Sequence, residues 1–214
     1  MKIVIISDTH SAHRDVDLPE GDVLLHAGDL CQSLGTNFFQ QRAHIRDCDD
    51  WFGEQDFKKV ICVAGNHDFP FEEGQISQLK NAVYLQNETY VYKGVKFFGS
   101  PNQLPFYGAF NAREETLERI YEKVDDDTDV IISHGAPYGI LDLPRHSGHT
   151  GSHALMSLIS RVKPKLVVFG HIHDSYGESE WNGVKLFNAS QAGKTWTSMD
   201  NKPWIFDLEK EDEV

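Results

Sequence analysis

The chain has 214 residues, 40% of them hydrophobic, which is enough to bury one substantial core. Asp and Glu outnumber Lys and Arg by 33 to 20, and the formal charge of −13 disfavours partners such as duplex nucleic acid or an anionic membrane. The three cysteines form no CxxC pair, so neither a disulfide framework nor a cysteine zinc site is predicted. We expect a cytoplasmic protein with a single domain over 1–208 and an acidic tail over 209–214.

Five short apolar runs, rich in Val and Ile, follow one another along the chain. They are residues 2–7, 22–27, 59–64, 129–133 and 165–169. Each run is nearly continuous rather than alternating, which is typical of strands buried on both faces of a sheet. The sequence therefore predicts five central strands.

Helical and hairpin patterns lie between and after these runs. The segments with helical spacing are 37–55, 112–124 and 151–162. The last of them opens with Gly151 and Ser152 as cap residues. Residues 88–100 and 178–190 each have two strand-like arms around KG or NG, the dipeptides of a tight turn. An α/β fold follows, with helices covering the sheet and antiparallel strands added to it.

A polar cluster follows each of the five predicted strands. The clusters read SDTH, AGDL, AGNHD, SHG and GHIH, and their candidate site residues are Asp8, His10, Asp29, Asn66, His67, His134, His171 and His173. Ligands of α/β sheets bind in the crevice outside the carboxyl ends of the strands. A single such motif is common by chance, but five ordered matches at equivalent strand ends favour a shared site.

The residue types in these clusters are typical of a transition-metal site. Carboxylates, an amide and imidazoles without a thiolate suit Mn²⁺, Fe, Zn²⁺ or Ni²⁺ better than Ca²⁺ or a cysteine-based structural zinc. Seven candidate ligands are too many for one ion, whereas a bridging Asp29 could join two ions roughly 3.5–4 Å apart, as in phosphoryl chemistry. In that assignment the ligands of one ion are Asp8, His10 and His173, and those of the other are Asn66, His134 and His171.

The spacing of the two histidines in GHIH predicts the direction of their side chains. Residues i and i+2 of an extended segment point to the same face. We therefore expect His171 and His173 to enter one crevice while Ile172 packs behind them.

The ordered series DxH, GD, GNHD, H and GHxH, from Asp8 to His173, resembles the calcineurin-like metallophosphoesterase family. The flanking text HAGD, FFGSP, RVKPKLVVFGHIHDSYG, FNAS and PWIFDL is similar to the branch of metallophosphoesterase-domain proteins related to class III cyclic nucleotide phosphodiesterases. The resemblance implies a β-sandwich of two mixed sheets flanked by helices (αββα), with a dimetal site on one edge. It implies the seven ligands above, with Mn²⁺ the first choice of metal, and it makes His67 the acid near the leaving group.

The activity implied by the resemblance is hydrolysis of small phosphodiesters such as cyclic nucleotides, by a hydroxide that bridges the two metals. A phosphomonoesterase and a non-catalytic scaffold of the same fold are the alternatives, and the intact ligand set disfavours the scaffold. The serine/threonine phosphatases of the superfamily carry GDxxDRG and GNHE, whereas this chain reads GDLCQSLG and GNHD. The missing acid and arginine weaken a protein-phosphatase interpretation.

Other histidines and aromatic residues are predicted to have structural roles. His149 lies in a loop where the family approaches its substrate, but an exposed loop histidine is the preferred interpretation. His26, inside a predicted strand, is expected to be buried and hydrogen-bonded, whereas His13 and His44 are expected at the surface. Core or lid packing is predicted for the loop aromatics, with base stacking as the alternative. These are Phe69, Phe71, Phe106, Tyr107 and Phe110.

Overall fold

Two mixed β-sheets form the centre of the structure, a computed structural model that describes residues 1–32, 37–193 and 198–209. In chain order the strands are β1 (Lys2–Ile6), β2 (Val23–Ala27), β3 (Lys59–Val63), β4 (Val83–Tyr84), β5 (Glu88–Tyr92), β6 (Val95–Ser100), β7 (Val130–Ser133), β8 (Leu166–Phe169), β9 (Gly177–Trp181), β10 (Val184–Asn188) and β11 (Trp204–Asp207). The helices are α1 (Phe38–Glu54), α2 (Phe69–Glu72), α3 (Glu114–Tyr121) and α4 (His153–Val162). One sheet has the order β11-β1-β2-β3-β4, and the other has the order β5-β6-β7-β8-β10-β9.

The main hydrophobic core lies between the two sheets. Ile3 and Leu25 contribute to it from the first sheet, and Phe97, Ile132 and Val168 contribute from the second. On the outer faces, α1 packs on the five-stranded sheet, and α3 and α4 pack on the six-stranded sheet. Both faces of the central strands are therefore buried, which explains their continuous apolar sequences. The predicted αββα sandwich is confirmed.

The predicted elements are present, and among the described strands and α-helices three short ones were not predicted. All five central strands and all three helices form, and the hairpins β5–β6 and β9–β10 are antiparallel pairs. Their turn residues, Lys93 with Gly94 and Asn182 with Gly183, have positive φ angles, as a tight hairpin turn requires. The side chain of Ser152 caps α4, as predicted. The unpredicted elements are β4, α2 and β11.

The topology brings the carboxyl ends of the parallel strands of both sheets together. Strands β1, β2 and β3 run parallel in one sheet, as do β6, β7, β8 and β10 in the other. A parallel bridge between Ser7 and Ser190 joins the ends of β1 and β10 across the sandwich. In this bridge the N–H of Gln191 donates to the carbonyl of Ser7 at 2.8 Å. The loops that follow the strands therefore converge at one edge.

The cysteines, the helices and the end of the chain can be compared with what the composition predicts. The three cysteines, Cys31, Cys48 and Cys62, are buried and unbonded. Within the described ranges, none of the helices combines the length and the apolar character needed to cross a bilayer. Of the predicted acidic tail, residues 210–214 lie outside the described residues.

The prediction that His13 lies at the surface is wrong. Its side chain is fully buried, and its ring packs against Trp51 at a centroid distance of 5.2 Å. His13 Nε2 lies 3.1 Å from Asp47 Oδ2 on α1. This contact joins segments that are far apart in the sequence, so the local pattern around His13 does not contain it.

His26 is buried and hydrogen-bonded, as predicted. Its Nε2 lies 3.0 Å from Thr9 Oγ1, and its Nδ1 accepts the N–H of Gly28. Burial lowers the pKa of His26 to about 3 from its usual 6.5, although Asp8 acts in the opposite direction. Between these two pH values the unfolded chain binds a proton that the folded chain does not. Folding stability is therefore lost as the pH falls from 6.5 toward 3.

We expect His26→Gln to flatten this pH dependence in chelator-treated protein. Each unmatched proton changes the free energy of unfolding by about 1.4 kcal/mol per pH unit. Between about pH 6 and pH 4, the slope for His26→Gln should be smaller than the wild-type slope by about that amount. Urea unfolding at several pH values measures the slopes, and His146→Gln, at an exposed loop position, is the matched control. Equal slopes for wild type and His26→Gln would contradict the prediction.

Candidate metal centre

The loops after five strands bring all the predicted site residues into one cluster. Asp8 and His10 follow β1, Asp29 follows β2, Asn66 and His67 follow β3, His134 follows β7, and His171 and His173 follow β8. The first six of these side chains are buried, and the two histidines after β8 are half-buried. The predicted convergence of the strand ends is therefore present in the structure.

One group in the cluster contains Asp8, His10 and His173. The Nε2 atoms of the two histidines lie 3.2 Å apart, and His173 Nε2 is 3.3 Å from Asp8 Oδ1. One potential ligand atom from each of the three residues lies within 4.8 Å of the others. This spacing is compatible with three ligands of a single ion.

A second group contains Asn66, His134 and His171. Asn66 Oδ1 lies 3.0 Å from His134 Nε2 and 2.8 Å from His171 Nδ1. The amide nitrogen of Asn66 donates to the carbonyl of Tyr107 at 3.0 Å, which fixes Asn66 Oδ1 toward the two imidazoles. Two nitrogens and an oxygen therefore converge at this second position.

Asp29 lies between the two groups. Its Oδ2 is 3.9 Å from His10 Nε2 and 3.8 Å from His67 Nε2. Its Oδ1 is 3.5 Å from His134 Nε2 and accepts the N–H of His67 at 2.9 Å. Each carboxylate oxygen therefore faces a different group, as a bridging ligand would.

Backbone carbonyls orient three of the imidazoles. His134 Nδ1 lies 2.9 Å from the carbonyl of Ala27, and His10 Nδ1 lies 3.1 Å from that of Cys31. His67 Nδ1 lies 3.1 Å from the carbonyl of Gln32, a partner that the sequence could not identify. Because a carbonyl only accepts, these contacts place the proton on Nδ1 and leave Nε2 facing the cluster, as metal-binding histidines require.

The charge of the cluster suits a cation. Burial lowers the pKa of His10 to about 4, despite the nearby carboxylates, and burial together with His134 lowers that of His171 to about 3. Burial would raise the pKa of Asp8 and Asp29, but neighbouring histidines outweigh it and keep both pKa values below the ordinary value. Within the described ranges neither carboxylate pairs with Lys or Arg. Buried carboxylates beside imidazoles that burial keeps neutral, such as those of His10 and His171, are the chemistry of a divalent cation site.

The backbone at the strand ends is unusual at four predicted ligands. Asp8, His10, Asp29 and His171 have φ angles of 53°, 44°, 57° and 66°, in the left-handed region. Such conformations cost about 1–2 kcal/mol each and persist where the surroundings impose them, often at functional sites. They also correct the explanation of the GHIH spacing, because His171 is left-handed and His173 begins a 3₁₀ helix, so the segment is not extended. Ile172 is buried behind the two histidines, as predicted.

Two glycines allow the loops to approach the carboxylates. A Cβ on Gly65 would overlap Asp29 Oδ1, and a Cβ on Gly170 would overlap Asp8 Oδ2. A larger residue in place of the glycine that opens GNHD or GHIH would therefore clash with a candidate ligand.

Supporting residues that the sequence analysis missed hold the candidate ligands in place. Ser190 Oγ donates to Asp8 Oδ2 at 2.8 Å, and Asn188 donates its amide N–H to the carbonyl of Ile172 at 2.9 Å. The carboxylate of Asp68 accepts N–H groups from both of the neighbouring loops. These donors are Leu30, Cys31 and Gly65. In the sequence, Asn188 and Ser190 belong to the segment FNAS, and Asp68 is the last residue of GNHD.

We expect Ser190→Ala to weaken metal binding because Asp8 loses the hydroxyl that orients it. Loss of such an outer partner typically costs about 10–100-fold in metal affinity. Calorimetric titration of metal-free protein with Mn²⁺ measures the effect, and Ser160→Ala, at an exposed position on α4, is the control. Equal affinities for Ser190→Ala and wild type would contradict this supporting role.

His149 and the loop aromatic residues lie outside the cluster of candidate ligands. His149 is exposed, as predicted, and its Nδ1 lies 2.6 Å from Asp142 Oδ1. Phe71 and Phe110 are buried in the core, as predicted. Phe106 and Tyr107 are 66% and 60% exposed, so core packing does not describe them.

Comparison with known proteins agrees with this geometry. A family model described as Calcineurin-like phosphoesterase matches residues 1–175. Metallophosphoesterase domain-containing protein 1 of Homo sapiens is 31% identical, with 97% of this chain and 71% of that protein covered. A UPF0046 protein of Caenorhabditis elegans is 30% identical, with 98% and 76% covered. The crystal structure of TT1561 of Thermus thermophilus has a similar fold, with a TM-score of 0.55 at 14% identity over 87% of this chain and 88% of that chain. This chain therefore belongs to the calcineurin-like phosphoesterase family, as the order of its motifs predicts.

Proposed function

We propose that this protein is a dinuclear-metal-dependent phosphodiesterase that hydrolyses small phosphodiesters, with cyclic nucleotides as the first class to test. The observation that carries the proposal is the position of Asp29, whose two carboxylate oxygens face two different groups of ligand atoms. The family typically binds two metal ions, and the nitrogen and oxygen ligand set makes Mn²⁺ our first choice.

The chain contributes ligands on both sides of Asp29. The proposed ligands of one ion are Asp8, His10 and His173, and those of the other are Asn66, His134 and His171. When bound, the two ions would supply an activated water and neutralise charge on the phosphoryl oxygens. Ser190 and the carbonyls of Ala27 and Cys31 hold the ligands in orientation, so little reorganisation is needed during the reaction.

His67 is the proposed general acid. Its Nδ1–H donates to the carbonyl of Gln32, so a proton on Nε2 would face the cluster. There Nε2 lies 3.8 Å from Oδ2 of Asp29, the proposed bridging ligand. Proton transfer of this kind typically contributes about 10²–10⁴-fold to the rate.

The surroundings of the cluster support a small diester as substrate. A cavity of about 390 Å³ opens beside Asn66, His67 and His171, within the size range of small-molecule sites. Among the described residues that line this cavity there is no Lys or Arg. None of these described residues would offset the second charge of a dianionic monoester, whereas a diester has about one negative charge to neutralise.

A comparison of four substrates tests the proposal. We would measure kcat/KM at fixed Mn²⁺ and salt for 2′,3′-cyclic AMP, 3′,5′-cyclic AMP, bis-(p-nitrophenyl) phosphate and p-nitrophenyl phosphate. We expect at least one diester to exceed the monoester, and Asp29→Ala, purified in parallel, to report any contaminating activity. A monoester preference of tenfold or more over every diester, about 1.4 kcal/mol of transition-state free energy, would replace the proposal by a phosphomonoesterase.

A further inference from the structure

The cavity beside the metal cluster extends away from it between two loops. One wall is the 101–111 loop, and the other is formed by the 137–151 loop with the start of α4. At the cluster end it is lined by Asn66, His67 and His171, and its inner end reaches Tyr121 of α3 and Leu155 of α4. The cavity is therefore larger than a phosphoryl group alone requires.

The part of the cavity beyond the cluster is mainly apolar. Its side chains there include Leu104, Pro105, Phe106, Pro144, Leu155 and Ile172. Asp174 also lines it, but this carboxylate is paired with Arg145 at 3.1 Å. With no Lys or Arg among the described lining residues, a second anionic group on the substrate would be desolvated there without a counter-charge.

The 101–111 loop is fixed to the metal cluster by hydrogen bonds. The N–H of Ala109 donates to the carbonyl of Asn66 at 2.8 Å, and the carbonyl of Tyr107 accepts from the Asn66 side chain. Within the loop, the N–H of Phe106 donates to Asn111 Oδ1 at 2.7 Å. The Phe106 ring consequently lies edge-to-face with His171, at a centroid distance of 5.3 Å.

The opposite wall is held by a buried carboxylate. Asp142 Oδ2 accepts the N–H groups of Gly139 at 3.0 Å and Gly151 at 2.9 Å, and Asp142 Oδ1 contacts His149. Both walls are therefore braced before any ligand binds, which lowers the entropy cost of binding.

Exposed hydrophobic side chains are concentrated in these two loops. Seven large hydrophobic residues are exposed in the described part of the chain, and four of them belong to the two loops. These four are Phe106, Tyr107, Tyr138 and Leu143. Of these four, Phe106 also lines the cavity, and exposed apolar surface beside a cavity is typical of a binding site.

We propose that this cavity binds an uncharged aromatic group of the substrate, and that Phe106 packs against that group. The inference rests on the proposed function, because the phosphoryl group must lie at the cluster for its substituent to reach the cavity. Gln103 also lines the cavity, where it is 2% exposed and its amide nitrogen donates to the carbonyl of Ala109 at 2.7 Å.

Phosphonate binding tests the inference without requiring turnover. We would titrate Mn²⁺-loaded protein calorimetrically with methylphosphonate, phenylphosphonate and 4-carboxyphenylphosphonate. We expect phenylphosphonate to bind about tenfold more tightly than methylphosphonate, and the added carboxylate to cancel the gain. Phe106→Ala should lower the phenyl preference about fivefold, whereas the control Phe39→Ala, at another exposed phenylalanine, should not.

A variant that fills the cavity and a comparison of AMP with ribose 5-phosphate test the inference further. Ser147→Trp, at an exposed position on the cavity wall, should abolish the phenyl preference and keep methylphosphonate binding. A Phe106-dependent gain of AMP over ribose 5-phosphate would identify the aromatic group as a nucleobase, and a gain confined to phenylphosphonate would identify a simple aryl group. Equal binding of phenyl- and methylphosphonate would overturn the inference even if phosphodiesters are hydrolysed. A phenyl preference without any phosphoester hydrolysis would instead overturn the proposed function.

Discussion

Replacing Asp29 with alanine should remove both metal ions together and lower phosphoester hydrolysis by at least about 10³-fold. Asp29 Oδ2 faces His10 and His67, and its Oδ1 faces His134, so one substitution removes an oxygen from both proposed sites. It also removes one of the two carboxylates among the candidate ligands, and thereby much of the negative charge that offsets two divalent ions. Since the ions supply several kcal/mol of transition-state stabilisation, a loss of this size is expected.

The measurement is elemental analysis of purified protein together with kcat/KM. Wild type should contain close to two transition-metal ions per chain, and His173→Ala, which changes one proposed site, should retain about one. Asp50→Ala, at an exposed position on α1, is the matched control and should retain both. A wild-type protein with a single tightly held ion, unchanged in Asp29→Ala, would contradict the dinuclear assignment. Circular dichroism of the metal-free proteins separates loss of metal from loss of fold.

The candidate ligands could be predicted because each follows a buried strand. A run such as 165–169 is continuous and apolar only where both faces of a strand are covered, and parallel strands place the residues after them at one edge. That rule predicted that Asp8 and His171, 163 positions apart, lie close together, and the N–H of His171 does donate to Asp8 Oδ1 at 3.1 Å. To predict this proximity, it was enough to know which segments are strands and that they run parallel.

Features that depend on long-range contacts could not be predicted in the same way. Strand β11 exists because it pairs antiparallel with β1, and β4 has only two residues beside β3. His13 is buried because α1 packs over it, which its neighbours in sequence do not determine. The left-handed backbone of Asp8 and Asp29 likewise depends on the surrounding loops, since Asp tolerates that region better than most residues but does not by itself require it.

The walls of the cavity also depend on long-range contacts that the local sequence does not determine. The sequence indicated that Phe106 and Tyr107 lie near the motifs but not whether they pack inward or face solvent. Their direction depends on the bonds of Asn111 within the loop and on the attachment of the loop to Asn66. A cavity assembled from two loops can therefore be recognised only once the sandwich has brought those loops together.

Replacing His67 with alanine should lower kcat by about 10²–10⁴-fold for substrates with poor leaving groups, and by much less for nitrophenyl esters. The reason is that a nitrophenolate leaves without protonation, whereas an alkoxide leaving group requires a proton from the proposed acid. The Nδ1 contact with Gln32 fixes the ring so that its Nε2 faces the cluster, and no other proposed role for His67 predicts a dependence on the leaving group. A series of diesters that differ only in the pKa of the leaving alcohol measures it.

Metal content must be measured on the same samples, because His67 Nε2 is also close enough to Asp29 and His10 to be a ligand. We expect His67→Ala to retain both ions, and His146→Ala, at an exposed loop position, to match wild type in metal content and in rate. Loss of one ion from His67→Ala would assign His67 to the metal site. Two ions with equal rate losses across the series would assign it to binding of the phosphate. Only retained metal together with a rate loss that grows as the leaving group becomes more basic supports proton transfer from His67.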